Sequence, residues 1–328
     1  MAEAKSSSAA GHAQQELILT RILGAPRSLV FRVWTDAKHV QRWWSPRGFT
    51  NPVCELDVRP GGLIRIDMRG PDGTIHPMKG VFHEIVEPER LVFTGTALED
   101  EHGKPSLEIL NTVTFEDFHG ITKLTLHARL VTKDFKLTPQ VAAALAGMEQ
   151  GWSESLYRLA DEIENSLAAA LAAREIVLSR VFDAPREMVW NAWTDPKQIV
   201  KWWGPRGFTT TIHEMDVRPG GVWRQTMHGP DGANYPGKSV FTEVVKYKRI
   251  VFSHSGGKEG GPGASFKSTW TFEVEGDQTK VTIRMVFDSA EARELVVKEF
   301  GAIEGGKQTL ARLGEYLAES IRLGSVRN

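Results

Sequence analysis

The sequence predicts an α+β protein of two tandem domains. In each, an antiparallel sheet wraps one long C-terminal helix, with two short helices after the first strand. Three observations predict this. The first is a repeat: RWWSPRGFT at 42–50 returns as KWWGPRGFT at 201–209, and Arg21–Gly62 aligns with Arg180–Gly221 at about half of its positions. APR, WTD, DVRPGG and GPDG return in the same order, and so long a period means two whole domains, not a solenoid of short units. The second is alternation of apolar and polar residues in short runs separated by glycine and proline. The third is a long stretch at the end of each copy whose apolar residues recur at helical spacing.

The elements follow in order. ELILTRIL (16–23) and EIVLSRVF (175–182) alternate and read as strands. Pro26 and Pro185 then mark helix starts, because proline is tolerated in the first turn. Val30, Phe31 and Trp34, with Val189, Trp190 and Trp193, recur at helical spacing. Asp36 after Thr35 caps a second short helix that runs to the tryptophan pair, and PRG stops it. Residues 53–131 hold six further strands, with RPGG and GPDG as tight turns between the first three. A long helix over about 139–172 carries Val141, Leu145, Met148, Trp152, Leu156, Leu159 and Ile163 on one stripe, and its counterpart spans about 289–322. The expected domains are 16–172 and 173–328, with no long linker between them and a disordered tail at 1–15.

Composition narrows the function classes. A formal net charge of −1 gives no global attraction to nucleic acid or to an anionic membrane. No run of about 18 apolar residues occurs, so no membrane insertion is expected. The polar start MAEAKSSSAAGHAQQ lacks an apolar signal core. Cys54 is the single cysteine, which excludes an internal disulfide and fits a reducing, cytoplasmic setting. The ten histidines show no HExxH and no paired spacing on one strand, so no metal site is expected. DVRPGG precedes a strand and not a helix, so it is a turn, not a phosphate cradle, and no cofactor is implied.

The order APR…VWxxWTD…WW.PRGF…DVRPGG…GPDG closely resembles the family of activator-of-heat-shock-protein-90-ATPase homologues, within the START-like or birch-pollen-allergen-like superfamily. The resemblance covers about 16–170 and again about 174–326. It implies a helix-grip fold, with a curved sheet gripping the C-terminal helix. It also implies a cavity between the two that holds a hydrophobic small molecule. The alternatives it leaves open are a chaperone cofactor or other protein-interaction role, and a cyclase-like or hydrolase-like enzyme using polar groups of the cavity.

Strand alternation maps the expected cavity walls. In the first domain these are Cys54, Leu56, Ile64, Ile66, Met68, His83 and Leu126, joined by Met148 and Trp152 from the helix. In the second they are His213, Met215, Trp223, Gln225, Met227, Ile283 and Met285. Cys54 becomes His213, Ile64 becomes Trp223 and Ile66 becomes Gln225, so the second cavity is expected to be the more polar. No catalytic residue is assigned: Cys54 has no counterpart in the second copy, and a lone buried cysteine behaves as a small hydrophobe. Adjacent residues on a helix point about 100° apart, so one ring of each tryptophan pair enters the core while the other covers a rim or loop. Trp34, Trp43, Trp44, Trp193, Trp202 and Trp203 are therefore expected to be structural. Glu55 with Arg65 and Glu214 with Arg224 read as surface ion pairs, and the loops 97–106 and 256–265 as hairpin connections at one end of each sheet.

Overall fold

The structure is a computed structural model, and it describes residues 16–99, 105–132 and 138–325. The expected tail at 1–15 and the tip of the 97–106 loop lie outside the described residues. The chain divides into two compact units after Leu167, a few residues before the expected boundary.

The first domain runs β1(Glu16–Leu23), α1(Arg27–Thr35), α2(Ala37–Trp43), β2(Thr50–Leu56), β3(Leu63–Arg69), β4(Ile75–Val86), β5(Arg90–Glu99), β6(Pro105–Phe118), β7(Ile121–Leu130) and α3(Pro139–Ala173). The second repeats it as β8(Glu175–Phe182), α4(Arg186–Thr194), α5(Pro196–Ile199), β9(Thr209–Met215), β10(Val222–His228), β11(Asn234–Val245), β12(Arg249–Gly257), β13(Gly263–Glu275) and β14(Gln278–Phe287), then α6(Ala290–Phe300) and α7(Ala302–Ser325). Each sheet has seven strands, in the orders β1-β7-β6-β5-β4-β3-β2 and β8-β14-β13-β12-β11-β10-β9. Every neighbouring pair is antiparallel. Both domains are helix-grip folds.

Local chemistry sets these elements. Asp36 and Asp195 cap α2 and α5 by accepting from the backbone N–H of Lys38 and Lys197, each at 2.8 Å. Thr122 and Thr279, both fully buried, donate to the carbonyls of Ala25 and Ala184 at 2.6 and 2.7 Å, which ties each APR turn to the neighbouring strand, β7 or β14. DVRPGG recurs because the chain doubles back on itself there. A side chain at Gly62 or Gly221 would begin 1.9 or 2.0 Å from the carbonyl oxygen of Asp57 or Asp216. The expected ion pairs form on the outer face, Arg65–Glu55 at 3.7 Å and Arg224–Glu214 at 2.9 Å, both well exposed and worth little to stability.

One helix differs from the sequence reading. The expected single helix over 289–322 is broken at Gly301, which adopts the left-handed conformation (φ +56°) and ends α6. Its counterpart in the repeat, Gly147, lies inside the unbroken α3. Glycine permits both conformations.

The long helices are fastened to the repeated tryptophan-pair loops by arginine. Arg158 on α3 donates through Nη1 to the carbonyls of Ser45 (2.9 Å), Pro46 (3.0 Å) and Phe49 (3.2 Å), and through Nη2 to that of Arg42 (2.6 Å). Arg312 on α7 donates in the same way to the carbonyls of Gly204 and Pro205, both at 2.9 Å, and of Phe208 at 3.1 Å. Arg158→Ala and Arg312→Ala should each lower the stability of their own domain by about 2–4 kcal/mol, since half-buried carbonyls lose charged donors. Lysine at either position should restore only part of this, because it lacks the planar fork. Urea unfolding followed by tryptophan fluorescence measures both effects.

Candidate functional site

The tryptophan pair divides its labour in both copies. Trp43 and Trp202 are fully buried, and their indole N–H groups donate to the α1 and α4 carbonyls of Val33 (3.0 Å) and Ala192 (2.9 Å). Trp44 and Trp203 turn the other way and line a cavity between sheet and helix. They are wall residues as well as structural ones, which corrects the purely structural assignment. The aromatic cluster above each cavity is completed from different elements. In the first domain Trp152 of α3 lies 5.1 Å from Trp44 and 6.2 Å from Trp34, ring centre to ring centre. In the second its counterpart is Gly306, and Trp223 of β10 and Trp270 of β13 fill the space instead, 4.8 and 5.9 Å from Trp203.

The first cavity measures about 260 Å³ and is lined by Met68, Met78, Phe93, Leu107 and Ile109 from the sheet, with Leu145, Met148 and Trp152 from α3. Its wall holds one buried amide, Asn111, whose Nδ2 donates to the carbonyl of Ile109 at 3.1 Å and whose Oδ1 has no partner. Met68 lines the cavity as the alternation expects, and Met148 and Trp152 line it from the helix. Ile64, Ile66 and Leu126 do not line the cavity: they are 0–4% exposed in a solid core with Trp34, Phe82 and Val113. Cys54 and Leu56 pack half-buried against that core, away from the cavity. Burial, followed by the charges of Asp36 and Glu55, pushes the Cys54 thiol up to about 11, so it stays neutral. His83 is a further correction. A bulge in β4 between Phe82 and Glu84 interrupts the alternation, so Phe82 points inward and His83 outward, its Nε2 3.1 Å from Thr94 Oγ1.

The second cavity, about 300 Å³, is walled by Trp203, Trp223, Trp270, Phe252 and Phe266, with Met227, Ile283 and Met285. Gln225 and His254 stand in the same wall. Gln225 is 4% exposed, and its Oε1 has no hydrogen-bond partner. His254 Nδ1 lies 3.0 Å from Ser239 Oγ, and its ring packs 4.8 Å from that of Phe266. Burial pushes its pKa down to about 4, so the ring is neutral at neutral pH. Ser239 is 1% exposed and does not line the cavity, so the pair orients the imidazole and does not present a nucleophile. Two expected wall residues are displaced here. Between Arg224 and Gln225 the register of β10 on β9 jumps from Glu214 to Ile212, so Ile212 packs inward and His213 turns out, 2.9 Å from Thr226 Oγ1. Met215 packs half-buried against the core without reaching the cavity.

The sequence profile described as Activator of Hsp90 ATPase homolog 1-like protein matches twice, over residues 24–164 and 183–318. The chain belongs to this family. No curated protein sequence matches it. Similar solved structures include Ms6760 from Mycobacterium smegmatis, 29% identical over 46% of this chain and 94% of its own, with a TM-score of 0.42. A protein from Arthrobacter aurescens is 28% identical over 45% of this chain and 88% of its own, with a TM-score of 0.42. One from Rhizobium leguminosarum is 25% identical over 47% and 96%, with a TM-score of 0.39. Among the described residues no group of three or more His, Cys, Asp or Glu could hold a metal ion, and no helix is long and apolar enough to cross a membrane.

Sequence reasoning missed His254. It lies on a strand predicted correctly, but its partners Ser239 and Gly237 come from the neighbouring strand, and only the register brings them together.

Two predictions follow from this geometry. Trp202→Ala should cost about 3–5 kcal/mol, as for a fully buried aromatic. Trp203→Ala should cost less but enlarge the cavity, and urea titration beside uptake of a small aromatic probe separates the two. For His254, the unfolded chain takes up a proton below about pH 6.5 and the native chain only below about pH 4. The unfolded state therefore binds more protons between these values, and stability falls as pH is lowered through that window. The stability of His254→Gln relative to the parent should rise from pH 7 towards pH 4, as read from urea midpoints across the range.

Proposed function

We propose that the protein binds a hydrophobic small molecule in the cavity of its second domain and does no covalent chemistry on it. The observation that carries this reading is the wall itself: a space of about 300 Å³ bounded by three tryptophans and four phenylalanines, with a few polar groups among them. That volume is at the small end of the range for small-molecule sites, about 300–1,000 Å³. Aromatic walls favour ligands that exchange water for flat apolar contact. Family membership supports the reading, since members typically bind hydrophobic ligands or act as cofactors. The absence of covalent chemistry rests on a neutral Cys54 outside both cavities and a neutral His254 whose hydroxyl partner is sealed off. The thiol form of Cys54 also suits the cytoplasm, which we take as the setting.

Native mass spectrometry of the full chain purified from its own host tests the proposal. The expected result is a stoichiometric mass increment that disappears on denaturation and yields a small apolar molecule. An increment that survives denaturation would mean a covalent adduct and would refute the non-covalent reading.

A further inference from the structure

We propose that the second cavity selects a flat, fused-ring molecule that carries no negative charge and bears one hydroxyl group, and that Gln225 and His254 recognise that hydroxyl. This rests on the binding reading above and adds the chemical class of the ligand.

Charge is the first argument. No lysine or arginine lines the cavity, and its one carboxylate is that of Glu299. An anionic ligand would lose its hydration without gaining a counter-ion there, a cost that disfavours anions. Size is the second. At the packing density of protein interiors, about 0.74, a space of about 300 Å³ holds about 220 Å³ of ligand, which suits about two or three fused rings.

The third argument is the polar pair itself. Gln225 and His254 flank the backbone of Gly237. The point where a side chain at Gly237 would begin lies 2.9 Å from His254 Cε1, 3.6 Å from its Nε2 and 3.8 Å from Gln225 Cγ. The missing side chain lets the imidazole pack directly onto the Gly237 backbone, beside the stem of Gln225. Ser239 Oγ has no other acceptor among the described hydrogen bonds, so it donates to His254 Nδ1 and leaves the ring proton on Nε2. Gln225 Oε1 is then an acceptor without a donor, and His254 Nε2–H a donor. A ligand hydroxyl lodged between the two side chains would satisfy both, donating to the first and accepting from the second. A bare hydrocarbon satisfies neither, and a buried unpaired acceptor is costly.

The first domain lacks this arrangement, although its own wall holds the unpaired amide oxygen of Asn111. The strand registers Ile66↔Met78 and Gly80↔Gly95 correspond to Gln225↔Gly237 and Ser239↔His254. Ile66, Met78, Gly80 and Gly95 thus replace all four members of the polar arrangement with groups that have no side-chain hydrogen bond to offer.

Equilibrium dialysis of the full chain at neutral pH against naphthalene, 2-naphthol and 2-naphthoate tests the proposal. We expect 2-naphthol to bind about tenfold more tightly than naphthalene, and 2-naphthoate more weakly than 2-naphthol. Gln225→Ile should cut 2-naphthol affinity about tenfold and leave naphthalene affinity within about twofold. Gln225→Met, unbranched like glutamine, carries the same test should the isoleucine variant melt early. Equal affinity of the parent for naphthalene and 2-naphthol would overturn the recognition while leaving the binding reading intact. So would a preference for 2-naphthoate, or 2-naphthol binding that neither variant weakens. Retention of none of the three would overturn the binding reading and this inference together.

Discussion

The structure of each domain depends on a guanidinium. A loop that turns away from a short helix exposes several carbonyl oxygens on one side, and buried or half-buried carbonyls must find donors. Arg158 and Arg312 supply them from the middle of the long helix, each reaching carbonyls on both sides of the proline that follows the tryptophan pair. The loop is thereby held against the helix, and the second tryptophan of the pair is held facing the sheet. That anchor helps to fix the distance between helix and sheet, and that distance is what creates a cavity. A second fastening backs it up in each copy with different chemistry. In the first domain Glu162, 7% exposed in its side chain, pairs with His39 at 2.7 Å and Arg42 at 3.0 Å. In the second, Tyr316 donates to Gln198 Oε1 at 3.1 Å and stacks under Lys201. An ionic contact and a neutral one hold the same two elements together.

The aromatic cluster shows the same freedom under a tighter constraint. Trp34, Trp43 and Trp44 have direct counterparts in Trp193, Trp202 and Trp203, and these rings pack against one another in both copies. The ring that closes the cluster comes from the helix in one copy and from the sheet in the other. Trp152 fills the space in the first domain. In the second, Gly306 stands there, and Leu178 Cδ1 packs where a side chain on that glycine would begin. Volume removed from the helix is replaced on β10 and β13, where Ile64 and Val113 have become Trp223 and Trp270. Close packing requires such exchange: cores accept large substitutions when total volume is kept.

Much of this was legible in the sequence, for physical reasons. The repeat, the strand order and the short helices rest on local signals, namely period-two alternation, an aspartate cap and glycine turns, and these survive folding unchanged. Three features were not legible. The bulges in β4 and β9 invert the alternation that places His83 and His213, and nothing in either local run marks where the extra residue falls. The break at Gly301 uses a glycine whose counterpart Gly147 stays helical, so the residue type alone does not decide it. The cavity is offset towards the N-terminal half of the long helix, so Ile64, Ile66 and Leu126 became solid core although they face inward as expected. Alternation says which face a residue occupies and not how far along that face the packing opens.

The changes between the two cavities are coordinated, and this bears on what duplication did here. Met78 of the first domain overlies Gly95, its sulfur 3.7 Å from where a side chain on that glycine would begin. In the second domain the large and small residues have changed strands: His254 overlies Gly237. The exchange conserves volume but not chemistry, because the new large residue is polar. A polar ring in an apolar wall is destabilising unless it is hydrogen-bonded, and Gly80 has become Ser239, whose hydroxyl lies 3.0 Å from the imidazole. Packing alone explains the swap of a large residue for a small one. It does not explain why the wall also gained Gln225 in place of Ile66, a substitution that leaves a buried acceptor unpaired where an isoleucine had nothing to satisfy. A folded chain gains nothing from that group by itself, and the hydroxyl of the proposed ligand is what would satisfy it.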